Sequence, residues 1–366
     1  MKSSFFFLIF FLFIFSLHGL FYSRVIKKLL VPAHVKKILS ILLWVNFSFN
    51  LLYLMGRYTD LITTKLYYLF SISIGITFML FLYLIVHEIL YLVGKTVKKM
   101  DRSKRNFIKK STDGMLLALS TGYIGAGIYE GSKEPAVNII DFGHFDFSIV
   151  QISDFHIGGI IDKKFVEASV KKINGLNPDI VFITGDLVDT NIDQIQDAIK
   201  KLDGISSKYG IYYVLGNHEY FHHPQKIIDF MKKTQIKLLL NENVIIDDLK
   251  LNVVGVTDLF GYRTGMLVPD INKAYQGCNQ TYQTILLAHQ PKFIEHLKGY
   301  TPDLMLCGHT HGGQIWPFNY LVRLQQPYVK GLYKLSKGSH IYINSGIGFW
   351  GPPMRLNSQA EITYII

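Results

Sequence analysis

The N-terminal third of the sequence consists of long apolar runs separated by short basic segments. The runs are Phe5–Tyr22, Ile38–Met55 and Leu66–Val93. A helix crosses about 30 Å of hydrocarbon with about 20 mostly apolar residues, so the pattern predicts three transmembrane helices within residues 1–94. The first run could also be a signal peptide. No small-residue cleavage site follows it and two further runs do, so we interpret it as a retained span.

The basic residues between these runs predict how the helices are oriented. They lie after the first run at Arg24, Lys27, Lys28, Lys36 and Lys37, after the second at Arg57 and Lys65, and after the third at Lys95, Lys98, Lys99, Arg102, Lys104, Arg105, Lys109 and Lys110. Cytoplasmic loops of membrane proteins carry an excess of Lys and Arg, so we expect the first and third loops to be cytoplasmic.

Residues 95–138 decide on which side the rest of the chain lies. We interpret them as a basic loop with a short, Gly-rich fourth span at Gly114–Tyr129. Ser103–Lys109, SKRNFIK, resembles a twin-arginine export signal, with Lys in place of the first Arg; a plain basic loop is the alternative. If the fourth span crosses, the remaining chain is outside the cytoplasm; if not, it is cytosolic. We expect a multi-pass protein of the cell membrane with an extracytoplasmic C-terminal domain.

The charge of the chain divides along the same boundary. Of a net charge of +11, residues 1–138 hold 17 Lys and Arg against 6 Asp and Glu, whereas residues 139–366 hold 21 of each. The basic excess therefore belongs to the apolar part, where contact with membrane lipids explains it, and the neutral remainder has no basic footprint for nucleic acid. Two cysteines exclude a disulfide scaffold.

Residues 139–366 alternate apolar β-rich runs with helical stretches. The predicted strands are Phe145–Ser153, Asp179–Thr184, Gly210–Leu215, Leu251–Val256, Thr284–Ala288, Leu304–Cys307, His340–Asn344 and Glu361–Ile366. The predicted helices are Lys163–Ile173, Ile192–Lys201 and Pro224–Lys233. Such alternation predicts an α/β domain whose sheet faces are both covered.

Polar side chains that can bind metal follow five of these strands. They are Asp154, His156, Asp186, Asn217, His289, His309 and His311. In open α/β sheets, ligand sites lie just beyond the carboxyl ends of strands, so distant segments can meet there. Oxygen and nitrogen donors suit Mn, Fe, Zn or Co, and seven donors suit two ions ~3.5–4 Å apart that share a carboxylate.

The order D-x-H, G-D-x-x-D, G-N-H-E, H, G-H-x-H resembles the calcineurin-like metallophosphoesterases. GHTHGGQ at 308–314 and GPPMR at 351–355 resemble the membrane-associated bacterial branch. The resemblance implies a sandwich of two mixed sheets flanked by helices, here preceded by the helical transmembrane region. It implies two divalent or mixed-valence ions: one held by Asp154, His156 and His311, the other by Asn217, His289 and His309, with Asp186 bridging and His218 as the catalytic acid.

These observations predict a membrane-bound, dinuclear-metal phosphoesterase. The expected substrate is a phosphomonoester, phosphodiester or pyrophosphate, lipid-linked or of the cell envelope; the expected partners are membrane lipids, and no nucleic acid. A non-catalytic metal-binding membrane sensor and a metal-dependent nuclease are the alternatives. Asp189 could orient a ligand histidine or lie in a surface turn, and Arg355 could contact the substrate phosphate or form a structural ion pair.

Overall fold

The structure is a computed structural model and describes residues 2–58, 62, 64–96 and 101–366. Lys98 and Lys99 of the predicted third loop lie outside the described residues. The chain divides into two compact units, Met1–Tyr129 with Gly351–Met354, and Glu130–Trp350 with Arg355–Ile366. We name them the helical unit and, after the activity that the sequence predicts for it, the catalytic unit.

The helical unit is built from long helices. They are α1 (Lys2–Arg24), α2 (Ala33–Tyr58), α3 (Thr64–Thr96) and α4 (Arg102–Gly131), with a 3₁₀ turn at Ile26–Lys28. Among the described residues, three stretches are long and apolar enough to cross a membrane by length and composition: Phe7–Lys28, Ala33–Arg57 and Lys65–Val93. The stretch expected to be a basic loop is mostly helical, because α4 runs through it, and α4 is not one of those three.

A buried polar cluster links the first three helices. The Asn46 and Asn50 amides each donate to Thr77 Oγ1 over 2.8 Å, and Asn46 Nδ2 lies 3.2 Å from His18 Nε2. Asn46 and Asn50 are one helical turn apart on α2, whereas Thr77 belongs to α3 and His18 to α1. Inside hydrocarbon, polar side chains form hydrogen bonds between helices because no water is present as an alternative partner. The hydrogen bonds therefore join neighbouring helices through one face of α2.

In the catalytic unit, the described residues form two mixed sheets of six strands each. The first sheet has the order β1-β12-β2-β3-β4-β5, with strands at Ala136–Ile140 (β1), Glu361–Ile365 (β12), Ile149–Ile152 (β2), Ile180–Thr184 (β3), Ile211–Val214 (β4) and Ile236–Leu238 (β5). The second has the order β10-β11-β9-β8-β7-β6, with strands at Gly331–Lys334 (β10), His340–Ile343 (β11), Leu304–Cys307 (β9), Gln283–Leu287 (β8), Leu251–Gly255 (β7) and Glu242–Ile246 (β6).

Parallel pairing dominates the centre of each sheet. β2, β3, β4 and β5 run parallel, with Ile149 opposite Ile180 and Val181 opposite Ile211. β7, β8, β9 and β11 also run parallel, and β6, β10 and the β12–β2 pair add the antiparallel contacts. Because parallel strands end at the same edge of a sheet, the carboxyl ends of β2, β3 and β4 are neighbours, as are those of β8 and β9.

The two sheets pack face to face, and helices cover their outer faces. Ile180 and Phe182 of β3 point into the apolar layer between the sheets, whereas Val181 and Ile183 point the other way, towards the helices. The remaining helices are α5 (Lys163–Asn174), α6 (Ile192–Ile199), α7 (Pro224–Met231), α8 (Phe260–Thr264), α9 (Ile271–Ala274) and α10 (Asn319–Val322). The expected sandwich of two mixed sheets with flanking helices is confirmed.

The strands that the sequence did not predict are β1, β5, β6 and β10, and these are the outermost strands of the two sheets. The side chains of β10 alternate between partly buried and exposed, and β5 has three residues. An outer strand is buried on fewer sides than a central one, so it lacks the continuous apolar run by which the central strands were found. β1 also begins before the predicted domain boundary at residue 139.

Candidate metal centre

The predicted ligands and the predicted catalytic residue His218 lie in segments that directly follow strands. The segments follow β2 (Asp154, His156), β3 (Asp186), β4 (Asn217, His218), β8 (His289) and β9 (His309, His311). Hydrogen bonds join the two sheets at this edge. The His309 backbone N–H donates to Asp154 Oδ2 over 2.9 Å, and His289 Nδ1 lies 2.7 Å from the Thr184 carbonyl oxygen. The topology therefore gathers five distant segments at one place.

The first donor cluster consists of Asp154, His156 and His311, all buried. The Nε2 atoms of His156 and His311 lie 3.1 Å apart. Asp154 Oδ1 lies 3.4 Å from His311 Nε2 and 4.0 Å from His156 Nε2. One oxygen and two nitrogen donors thus converge on a common point, as a metal ion requires.

The second donor cluster consists of Asp186, His289 and His309. Asp186 Oδ2 lies 3.2 Å from His289 Nε2, and the rings of His289 and His309 are 5.0 Å apart. The same Asp186 oxygen lies 3.9 Å from His156 Nε2, which belongs to the first cluster. The Asp186 carboxylate is therefore between the two clusters.

The residues on either side of Asn217 contact Asp186. A Cβ added at Gly216 would collide with Asp186 Oδ1, so the absence of a side chain lets the two backbones approach, and the His218 backbone N–H donates to the same oxygen over 2.9 Å. Asn217 Oδ1 is buried and makes no hydrogen bond within the described part of the chain. A buried amide oxygen without a hydrogen bond is costly unless it has another ligand, and a metal ion fits this requirement.

The site itself shifts the pKa of its acids and imidazoles. Burial opposes ionisation of Asp186, but the charges of His289 and His218 outweigh it and hold the pKa of that carboxyl well below its usual value. Burial, together with the charge of Asp186, raises the pKa of Asp154 to about 6. Burial and neighbouring imidazoles lower the pKa of His309 to about 3 and that of His311 well below its usual value. A lowered pKa favours the neutral imidazole, which is the form that binds metal.

His218 lies at the edge of the clusters and is held by Asp189. Its Nδ1 lies 2.6 Å from Asp189 Oδ1, and its Nε2 lies 3.9 Å from Asp186 Oδ2. A carboxylate at Nδ1 fixes the tautomer and ring orientation of an imidazole. In His218, this contact leaves Nε2 facing the donor clusters. Asp189 was expected to orient a ligand histidine or to lie in a surface turn. The structure places it closest to His218, which is not a predicted ligand, whereas its Oδ2 lies 3.9 Å from Nδ1 of the predicted ligand His156.

The backbone of the ligand segments is strained. Five of the predicted ligands have positive φ angles: Asp154 (53°), His156 (52°), Asp186 (51°), His309 (71°) and His311 (48°). Only a few per cent of residues other than Gly adopt this conformation, although Asp and His are enriched among them. Each residue in such a conformation costs of order 1–3 kcal/mol, and such residues cluster at functional sites. Neighbouring contacts must therefore hold these segments in place.

Glu219 supplies such contacts, and the sequence analysis did not find its role. Its buried carboxylate accepts hydrogen bonds from the backbone N–H groups of Gly216 (2.7 Å), Val188 (2.9 Å) and Asp186 (3.2 Å). It thereby ties the loop after β3 to the loop after β4. Burial and the nearby charge of Asp186 raise the pKa of Glu219 to about 7. In the sequence, the position of Glu219 directly after His218 was the feature that could have indicated this role.

Asp258 is a second buried acid that the sequence analysis missed. It follows β7, and both of its carboxylate oxygens accept hydrogen bonds from the Gln290 amide, over 2.9 and 3.1 Å. Gln290 is the residue after the predicted ligand His289. Burial raises the pKa of Asp258 to about 6, although the charge of His289 opposes the shift. Asp258 thus supports the segment that carries His289.

Arg355 has a structural role that differs from both sequence-based alternatives. Its side chain is fully buried and donates to four backbone carbonyls, those of Ser345, Gly346, Gly348 and Ser358, over 2.6 to 3.2 Å. These bonds close the loop between β11 and β12. The guanidinium is therefore occupied by carbonyl oxygens, and we assign it neither to phosphate binding nor to an ion pair.

Comparison with known proteins agrees with this geometry. The sequence profile of the calcineurin-like phosphoesterases matches residues 147–313. An uncharacterized metallophosphoesterase of Campylobacter jejuni is 34% identical over 97% of this chain and 96% of its own length. The chain belongs to the metallophosphoesterase family. An uncharacterized metallophosphoesterase of Helicobacter pylori is 38% identical over 81% of this chain and 82% of its own. A transmembrane protein with metallophosphoesterase domain from Bos taurus is 31% identical over 75% and 65%.

Gly308 offers a test of how tightly this metallophosphoesterase site is packed. A Cβ at this position would collide with Ser153 Oγ and Asp154 Oδ2, so we expect Gly308→Ala to displace Asp154 and to weaken metal binding about 10- to 100-fold. Calorimetric titration of metal into the purified chain measures the change in metal affinity. The control is Gly204→Ala, whose Cβ would meet Val170 at an ordinary 3.5 Å. Equal affinity in the two variants would contradict the assigned position of Asp154.

Proposed function

We propose that this chain is a membrane-bound, dinuclear-metal phosphoesterase that hydrolyses a phosphomonoester, phosphodiester or pyrophosphate bond. One observation carries the proposal: the Asp186 carboxylate lies between two clusters of donors, 3.2 Å from His289 Nε2 and 3.9 Å from His156 Nε2. A carboxylate in that position suits two cations that share it. The donors are oxygen and nitrogen atoms, which suit ions of the Mn, Fe, Zn and Co class.

Each donor has one task in this proposal. Asp154, His156 and His311 would hold one ion, Asn217, His289 and His309 would hold the other, and Asp186 would be shared. When bound, such cations supply Lewis acidity that neutralises phosphoryl charge and lowers the pKa of water. Hydrogen bonds to Glu219 and between the ligand loops keep the donors fixed, so little reorganisation accompanies the reaction.

His218 is the catalytic residue in this proposal. With Asp189 fixing a proton on Nδ1, Nε2 is the atom that can carry a proton to the departing oxygen. Nε2 lies within 3.9 Å of the shared Asp186 carboxylate, so a phosphoester held at the donors would be next to it. The pair of Asp189 and His218 therefore supplies the general acid, and the donor clusters hold the substrate.

The substrate that we propose is a lipid-linked or envelope phosphoester. Three stretches of the same chain are apolar enough to cross a membrane, so the enzyme meets lipids at high local concentration. Residues 139–366 carry 21 Lys and Arg against 21 Asp and Glu, and this balance offers no general attraction for a nucleic acid. A single phosphate group on a membrane lipid needs only the local charge of the donors and their cations.

We further propose that the catalytic unit lies outside the cytoplasm. The apolar part of α4, Gly114–Tyr129, contains 16 residues, which at a rise of about 1.5 Å per residue gives a length of about 24 Å. This is shorter than the roughly 30 Å of hydrocarbon, and local thinning of the bilayer accommodates a short span. The basic residues at the N-terminal end of α4 favour the cytoplasmic side, so a crossing helix would carry the following chain out of the cytoplasm.

Substitution of His218 tests the reaction. The purified full-length chain with Mn²⁺ is expected to hydrolyse an artificial bis-aryl phosphodiester. His218→Ala should lower kcat by at least about tenfold while bound metal is unchanged, because a general acid contributes about 10²–10⁴-fold. The control, His296→Ala, removes an imidazole that stacks on Tyr262 outside the donor clusters, and it should retain full activity. Absence of turnover in the parent chain with Mn, Fe, Co or Zn would refute the enzymatic proposal.

Chain length of the substrate tests the lipid-linked class. In mixed micelles, we expect kcat/KM for a long-chain lipid phosphoester to exceed that for the same headgroup on a short soluble chain by about tenfold or more. The reason is that a membrane-held enzyme encounters a membrane-held substrate without diffusion through water. Initial rates of phosphate release at matched surface concentrations provide the measurement. Equal values for the two substrates would argue for a soluble phosphoester instead.

A reporter fused after Ile366 tests the topology. If α4 crosses the membrane, a reporter enzyme that requires export is expected to be active, and one that requires the cytosol is expected to be inactive. Fusions after Thr96, ahead of α4, should give the opposite pattern and serve as the matched control. Activity of only the cytosolic reporter after Ile366 would place the catalytic unit in the cytoplasm.

A further inference from the structure

The helical unit contains an apolar cavity of about 160 Å³. The end of α1 and the following turn contribute Val25, Ile26 and Leu29, while Leu43 of α2 and Leu80 of α3 close the opposite sides. A cavity of about 150 Å³ lined by such side chains stays dry and takes an apolar guest. The occupant that fits this lining is therefore a hydrocarbon group.

The cavity is open towards the outside of the helical unit. Two of its lining residues, Leu42 of α2 and Leu117 of α4, are 58% and 48% exposed. In a chain that spans a membrane, exposed leucines of this kind meet lipid chains rather than water. An acyl chain can therefore enter from the side, between α2 and α4.

Four lysines surround the turn that forms one wall of the cavity. Lys36 Nζ donates to the Lys27 carbonyl oxygen over 3.0 Å, and Lys109 Nζ donates to the Lys28 carbonyl oxygen over 2.7 Å. Lys27 and Lys28 themselves belong to the turn, beside Ile26. Each ammonium group has three N–H donors, so donors remain after these contacts. Two of the four lysines therefore belong to the segment that forms the apolar wall, and the other two bind its backbone.

The local acids leave most of these charges unmatched. Asp113 pairs with Lys109 at 2.6 Å, and Glu88 lies 3.8 Å from Arg24. Over the residues that the structure describes, no carboxylate forms an ion pair with Lys27, Lys28 or Lys36. A net positive charge therefore remains beside the apolar cavity.

We propose that the cavity and its lysines form a binding site for an anionic phospholipid, with one acyl chain in the cavity and the headgroup phosphate against Lys27, Lys28 and Lys36. Basic pockets between transmembrane helices bind anionic headgroups in this manner. Orientation of the helices explains why basic residues are present in this loop. Orientation alone gives no reason for an apolar cavity at the same segment. Lys36 and Lys109 bind carbonyl groups of that segment, which keeps their positive charges beside the cavity.

Lipid retention by the full-length chain tests the site without reference to turnover. Native mass spectrometry in detergent compares phosphatidylglycerol with phosphatidylcholine of identical acyl chains. We expect the anionic lipid to bind about tenfold more tightly or better. Equal binding of the two lipids would overturn the proposal. Displacement of the anionic lipid by millimolar inorganic phosphate would also overturn it, because the cavity would then contribute nothing.

Paired variants separate the headgroup contacts from the cavity. Lys27→Gln with Lys36→Gln should abolish the preference for the anionic lipid. The control, Lys104→Gln with Lys110→Gln, removes two exposed lysines of α4 and should keep that preference. A retained preference in the first double variant would overturn the headgroup assignment. Because binding is the readout, failure of the proposed hydrolysis would leave this result intact.

A bulky residue at the opening tests the acyl-chain assignment. Leu117→Trp should weaken the binding of both lipids at least about tenfold. Leu119→Trp, at a position 62% exposed and outside the cavity lining, is the matched control and should not. Both leucines are exposed, so neither change is expected to unfold the chain, and thermal unfolding checks this. Unchanged lipid binding by Leu117→Trp would overturn the placement of the chain in the cavity.

Discussion

The catalytic unit depends on one electrostatic constraint: lone pairs that face one another inside the protein must share a positive charge. The Nε2 atoms of His156 and His311 lie 3.1 Å apart, with Asp154 Oδ1 3.4 Å from the second. Burying such donors is expensive because each loses water, and the cost falls when a shared proton or cation lies among them. The arrangement therefore fits a metal site.

Holding the donors requires the backbone to leave its preferred conformations. Asp154, Asp186 and His309 have positive φ angles, and so do two further predicted ligands, His156 and His311. The compensation comes from neighbours that are not ligands. Glu219 accepts three backbone N–H groups, and the Asp154 carboxylate accepts the His309 N–H. The strained residues and the hydrogen bonds that stabilise them lie in the same loops. The rigid strands therefore position the ligands, and the buried acids keep them in place.

The sequence predicted the centre of the fold and missed its edges, for a physical reason. β2, β3 and β4 are buried along their whole length and appear as continuous apolar runs, whereas β5 and β10 are short, partly exposed outer strands without such a signal. The predicted ligands follow central strands, so they were found together with them. Glu219 and Asp258 act through backbone groups and a neighbouring amide, and such contacts leave no spacing pattern in the sequence. Arg355 was misjudged because four carbonyl partners occur only in the folded loop.

The division of charge along the chain has a consequence for how an anionic substrate is bound. Residues 139–366 have equal numbers of acidic and basic side chains, so no long-range field draws phosphates towards the donor clusters. In the proposed reaction, affinity for a phosphoester would come from the few ångströms around Asp186, where bound cations would outweigh the buried carboxylates. The excess of basic residues lies in residues 1–138, where the charge suits a membrane surface. If the basic part binds lipid phosphates and the donor clusters hold metal ions, as we propose, a neutral catalytic unit would favour substrates delivered by the membrane over polyanions from solution.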